Sequence, residues 1–270
     1  MPTTGTVNYH VHSDQRQAFE IDAGGVAGKI VAPELVTAEI PVLDIRKSEA
    51  SPNFDRDSVG FAVAPTQVAS FSGSGSDCGG YNGSTNEWQT IYDRELTDLL
   101  SQRLKAREVV IFDHTVRQDD PNSNRKPARN VHSDYSQEGA EHRLIDILGP
   151  NEAARWSAGH YAFINVWRPV DNPINSAPLG FVRPESVAPE DWILIDLIYP
   201  DRRGHILGLA ANDRHEWIYQ SKMTPDEVAY FNIYDNQGRA SVAHSAIDLV
   251  EDPTINTIRK SIESRTLIRY

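Results

Sequence analysis

The feature that most constrains the fold is the rhythm of the second half of the chain. Short apolar or alternating runs recur at 160–167, 179–182, 192–199, 205–210, 216–220, 228–234 and 241–246. They are rich in Val, Ile, Tyr, Phe and Trp, and turn formers such as Asp235-Asn236-Gln237-Gly238 separate them. Closely spaced strands of this kind read as a sandwich or barrel, and no strand–helix–strand alternation points to a doubly wound sheet. Earlier segments, 6–12, 18–22, 40–46, 59–64 and 108–114, add strands, and 261–270 closes the chain with another.

Three helices interrupt this pattern. Over 86–107, Trp88, Ile91, Tyr92, Leu96, Leu99, Leu100 and Leu104 recur at three- and four-residue steps, which puts them on one face. The spacing predicts a helix packed on a sheet. A second helix over 136–148 starts at Ser136, a good N-cap, and 150–157 is a short third. Between the early strands and the first of these helices, 70–85 is Gly- and Ser-rich and is expected to be a mobile surface loop; it holds Cys78.

With 270 residues, the expectation is one domain over 1–270. Residues 1–107 would supply strands and a helix flanking the barrel, and 108–270 the jelly-roll core. The fold class expected is mainly β with flanking helices. A net charge of −12 argues against a nucleic-acid partner. No apolar run reaches the ~18 residues of a membrane helix, and no secretory leader is visible. A single cysteine excludes an intramolecular disulfide and fits a reducing compartment. The chain therefore reads as a cytoplasmic protein whose partner is a small molecule. Edge strands and a helical face offer surfaces for a homodimer.

The chemistry concentrates at 130–135, Asn-Val-His-Ser-Asp-Tyr. One residue separates His132 from Asp134, so on a strand both side chains leave the same face. A second histidine would complete a two-histidine, one-carboxylate set, which binds a metal on one face and leaves other positions open for a co-substrate and dioxygen. His244, on a late strand, is the candidate, because early and late strands of a jelly roll can lie side by side. The set alone leaves the metal open between iron and zinc. Downstream, Arg259 and Ser261 offer a cation and a hydroxyl for the far carboxylate of a dicarboxylate co-substrate. Positions 259, 261, 263 and 265 share one face of an extended segment, so Arg265 competes with Arg259 for that task. Tyr135, Asn165, Trp167 and Arg168 are candidates to line the substrate pocket. His114, His142, His160, His205 and His215 have no acid at ligand spacing and read as surface or hydrogen-bonded residues. His10 and His12 share a strand face without a third ligand.

Several ordered motifs resemble the AsaB-like hydroxylase/desaturase family, which includes CmcJ-type and gibberellin-desaturase-like proteins. They are NVHSDYS at 130–136, FINVWRP at 163–169, WIYQSKMTPDE at 217–227, YDN at 234–236, AHSA around His244 and RKSIESR at 259–265. The resemblance implies a double-stranded β-helix that uses Fe(II), 2-oxoglutarate and dioxygen to oxidise an unactivated C–H bond of a secondary metabolite, by hydroxylation, desaturation or oxidative cyclisation. It also implies that His132, Asp134 and His244 hold the metal, and that Arg259 and Ser261 hold 2-oxoglutarate. Two other classes fit the residues less fully: a cupin-like metalloenzyme that does not use 2-oxoglutarate, and a non-catalytic small-molecule-binding barrel.

Overall fold

Alternation and β-branching carry the chain into strands from near its start. In order, the elements are β1 (Thr3–Tyr9), β2 (Gln17–Ile21), β3 (Ala27–Ile30), β4 (Val36–Asp44), α1 (Phe54–Asp57), β5 (Val59–Val63), α2 (Glu87–Leu104), β6 (Glu108–Gln118), β7 (His132–Ser133), α3 (Gln137–Leu148), α4 (Pro150–Ser157), β8 (Tyr161–Pro169), β9 (Leu179–Val182), β10 (Trp192–Ile198), β11 (Arg203–Leu209), β12 (Trp217–Tyr219), β13 (Glu227–Asp235), β14 (His244–Ala246) and β15 (Lys260–Arg269). The computed structural model describes residues 3–21, 27–31, 34–48, 51–71, 87–200 and 203–270, and only the backbone of 27–30. Cys78 and most of the Gly/Ser-rich run lie outside the described residues.

The strands form two sheets. A ten-stranded sheet has the order β1-β4-β12-β9-β14-β7-β11-β10-β2-β3, and a five-stranded sheet the order β5-β13-β8-β15-β6. Pairing is antiparallel except between β10 and β2 and between β12 and β4. Strands from the first half of the chain end both edges of the large sheet, β1 and β4 on one side and β2 and β3 on the other. The mainly β, barrel-type expectation holds.

Apolar packing falls into layers. Phe163, Trp167, Phe181, Ile218 and Phe231 belong to one cluster that α3 and α4 extend through Ala140, Leu144, Ala153 and Trp156. Odd-numbered residues of β8 join this cluster, whereas Ile164 and Val166 join a second one with α2. On α2, Trp88, Tyr92, Leu96, Leu100 and Leu104 are buried, one per turn, against that face of the small sheet. Removing a fully buried leucine such as Leu96 or Leu100 from this interface would cost about 2–5 kcal/mol. The third cluster includes Val131 and Ala243, the neighbours of His132 and His244. By alternation the two histidines therefore face away from it.

Boundaries differ in places from the sequence reading. The strand at 132 is only two residues long, and Asp134 lies just past its end. The strand after α2 runs on to Gln118, because Lys260–Arg269 pairs with it along nearly its whole length. β3 has no signal in its sequence beyond Ile30, and it forms as an edge partner of β2. The start of α3 follows expectation: Ser136 Oγ accepts the Gly139 amide at 3.1 Å. Among the described residues, no helix is long and apolar enough to cross a membrane.

Candidate metal centre

β7 and β14 are adjacent and antiparallel, with His244 directly opposite His132. The two imidazole rings lie 4.6 Å apart. Asp134, at the turn after β7, swings back so that one ligand atom from each of the three residues lies within 4.8 Å of the others. His132 Nε2 and Asp134 Oδ1 are 3.4 Å apart. On its other side, His132 pairs with Gly208 of β11. A Cβ on Gly208 would sit 2.6 Å from the His10 ring, so only glycine lets β11 pass there.

Outer partners fix which atoms face inward. His132 Nδ1 donates to the Asn130 carbonyl at 2.8 Å, and His244 Nδ1 to the Val242 carbonyl at 3.3 Å. Both rings therefore keep the tautomer with a bare Nε2, the atom a metal would take. Asp134 Oδ2 accepts from Asn165 Nδ2 at 2.8 Å and from Arg265 Nε at 3.1 Å, which leaves Oδ1 for the ion. Burial alone would raise the Asp134 carboxyl, but Arg265 and the two histidines outweigh it and hold the group well below its usual range. Burial, with His132 beside it, pushes His244 down to about 3, so its imidazole is neutral and free to ligate.

His132 and His244 also border a small cavity with Arg117, Trp167, Leu179, Arg259 and Glu263. Arg259 is buried there. Its Nη1 donates to Ser261 Oγ at 2.8 Å, its Nε to the Ala177 carbonyl at 3.3 Å, and its guanidinium lies 5.3 Å from the centre of the Trp167 ring. Among the described residues, no carboxylate comes within ion-pair reach of it. Burial, reinforced by Arg117, pushes the guanidinium down to about 9. Arg265 is the opposite case. It forms ion pairs with Asp113 at 2.5 Å, Glu263 at 2.6 Å and Asp134 at 3.1 Å, so its charge is matched. Those three carboxylates outweigh burial and raise its pKa well above the usual value.

Of the four pocket candidates, Trp167 lines this cavity and Asn165 holds Asp134. Tyr135 is half-buried, with its ring 4.9 Å from that of Phe163. Arg168 is a correction. It leaves the opposite face of β8, where it donates to Tyr92 Oη at 3.2 Å and to the Pro225 carbonyl at 2.7 Å. Adjacent residues on a strand point to opposite faces, so Trp167 and Arg168 cannot share a pocket. His10 and His12 do not form a site either: His10 is buried and bonded to Gln17, and His12 is exposed. Arg117, Asp113 and Glu263 escaped the sequence reading. For Glu263 the signal was present, since 259, 261, 263 and 265 were already known to share a face.

A family model described as "Oxidoreductase/YMDC permease-like domain" matches residues 7–269. The chain belongs to this family. The chain is 30% identical to the hydroxylase/desaturase efuI of Hormonema carpetanum over 265 residues, 86% of this chain and 83% of that protein. It is 27% identical over 147 residues to the Fe(II)/2-oxoglutarate-dependent dioxygenase nvfI of Aspergillus novofumigatus, 53% of this chain and 52% of that one. A solved structure of the iron and alpha-ketoglutarate-dependent endoperoxidase NvfI superposes with a TM-score of 0.80 at 18% identity, covering 99% of this chain and 97% of that one. At that identity the superposition speaks for the fold, which is the jelly roll expected of this oxidoreductase family. The resemblance to hydroxylase/desaturase enzymes read from the motifs is borne out.

Proposed function

We propose that this protein is an Fe(II)- and 2-oxoglutarate-dependent oxygenase, a single domain that uses dioxygen to oxidise an unactivated C–H bond of a small molecule. His132, Asp134 and His244 would hold the metal. The residues fit it: two bare imidazole nitrogens and one carboxylate oxygen, on one side of a site, are the donor set that suits non-haem iron. When bound, iron with 2-oxoglutarate would supply the electrons that activate dioxygen, the oxidant, toward the substrate.

The observation that carries this reading over a hydrolase is Arg259. A buried guanidinium without a carboxylate is costly, and it asks for an anion from outside. It stands in the same cavity as the two bare nitrogens, with Ser261 bonded to it. Arg259 and Ser261 would grip the far carboxylate of 2-oxoglutarate, while its near end reaches the metal. Trp167 orients the guanidinium through its ring face. Asn165 and Arg265 keep Asp134 Oδ2 occupied and aim Oδ1 at the ion. The assignment of Arg265 as co-substrate anchor falls to second place because three carboxylates already match its charge. The reducing cytoplasm suits a chain with one cysteine.

The test is anaerobic. Fe(II) is added to the metal-free protein, followed by 2-oxoglutarate, and the weak visible charge-transfer band of the chelate is followed. The reading expects the band in the wild type and its loss in His132→Ala with the fold intact by circular dichroism. Iron binding without the band would favour a metalloenzyme that does not use 2-oxoglutarate.

A further inference from the structure

Arg259 is not the only cation in the cavity. Arg117 borders the same space from β6, directly opposite Ser261 on β15. Residues opposite each other on antiparallel strands send side chains to the same face. Arg117 therefore leaves the sheet beside the Arg259–Ser261 pair. Its Nη1 donates to the Lys126 carbonyl at 3.0 Å, which ties it to the loop after β6. Among the described residues, no carboxylate lies within ion-pair reach of Arg117. The nearby carboxylate of Glu263 is paired with Arg265. Asp119 and Arg129, further out, pair with each other at 2.8 Å.

The charges around the centre add a second argument. Asp113, Asp134 and Glu263 face Arg265, Arg259 and Arg117, three carboxylates against three guanidiniums. All the negative charge is gathered on Arg265. Arg117 and Arg259 are left as a pair of like charges bordering one cavity; burial and then Arg117 make Arg259 easier to deprotonate. A divalent metal brings two positive charges to this balanced set. A dianion restores the balance, provided that its far carboxylate lies where the surplus positive charge is.

We propose that Arg117 is a second arm of the co-substrate site, forming with Arg259 a two-arginine clamp that selects 2-oxo acids carrying a far carboxylate. This inference rests on the 2-oxoglutarate reading given above. A monocarboxylic 2-oxo acid such as 2-oxobutyrate reaches the metal but leaves both guanidiniums unpaired, so the clamp is a specificity device as well as an affinity device.

Calorimetric titration of the Fe(II)-loaded protein under argon with 2-oxoglutarate and with 2-oxobutyrate tests it, alongside Fe(II) binding to the metal-free protein and the thermal midpoint. Expected for Arg117→Met is a 2-oxoglutarate Kd raised by at least about tenfold, an Fe(II) affinity unchanged, and 2-oxobutyrate binding altered by less than about twofold, so that the preference for the diacid shrinks. Arg117→Lys keeps the charge, should recover part of the loss, and serves if the methionine variant does not fold. Affinity for 2-oxoglutarate within about twofold of wild type in both Arg117 variants, while Arg259→Met loses it, would overturn the second arm and leave the oxygenase reading standing. A wild-type protein that binds iron but not 2-oxoglutarate would overturn both.

Discussion

Two arginines six residues apart, Arg259 just before β15 and Arg265 within it, meet opposite environments. Arg265 sits among Asp113, Asp134 and Glu263 with bonds of 2.5–3.1 Å. Arg259 meets a serine, a backbone carbonyl and a tryptophan ring. A buried cation whose charge is fully matched is part of the framework. A buried cation that is unmatched is where the proposed co-substrate would bind. Residue type does not distinguish the two; the distribution of carboxylates on neighbouring strands does.

The contrast can be broken most forcefully at Arg265. Arg265→Met leaves three carboxylates without their counter-charge, and the expected loss is about 3–5 kcal/mol of stability by urea unfolding, together with iron binding. Stability near wild type would mean that the network holds nothing together. Arg259→Met should do the reverse. The 2-oxoglutarate Kd is expected to rise about a hundredfold, in line with ~1.5–3 kcal/mol per charge-assisted hydrogen bond, while the urea midpoint holds or rises. If this variant unfolds as readily as the Arg265 one, the distinction between matched and unmatched cations fails.

Asn165→Ala removes one of the two bonds to Asp134 Oδ2. A fall in Fe(II) affinity of about tenfold, measured by chelator competition, is expected from the loss of an outer partner. The smallest effect is on acid stability of the metal-free protein. Asp134 has a folded pKa below its unfolded value, so its contribution is fully present above the ordinary carboxylate pKa of about 3.9 and is lost as pH falls through the depressed folded value. Asp134→Asn should flatten the stability profile in that acidic window and leave its shape at neutral pH unchanged.

Much of the framework was legible because it rests on local periods. The one-per-turn burial of Trp88, Tyr92, Leu96, Leu100 and Leu104 follows from helical spacing, and the β8 core follows from strand alternation. Strand parity alone also separates Trp167 from Arg168; treating both as pocket residues ignored a rule that was available. The two-residue length of β7 was not legible. Such a strand exists because β11 and β14 flank it, not because His132 and Ser133 prefer to be extended.

By itself, the chain determined which side chains share a face of an extended segment: Ser261, Glu263 and Arg265 along β15, with Arg259 just before it. Only the tertiary structure decided what each face meets. Register between β15 and β6 sets Arg117 beside Ser261 and Asp113 beside Arg265. These pairings join residues far apart in sequence. The energy that separates a matched guanidinium from an unmatched one is set by charges on other strands, which no local pattern encodes.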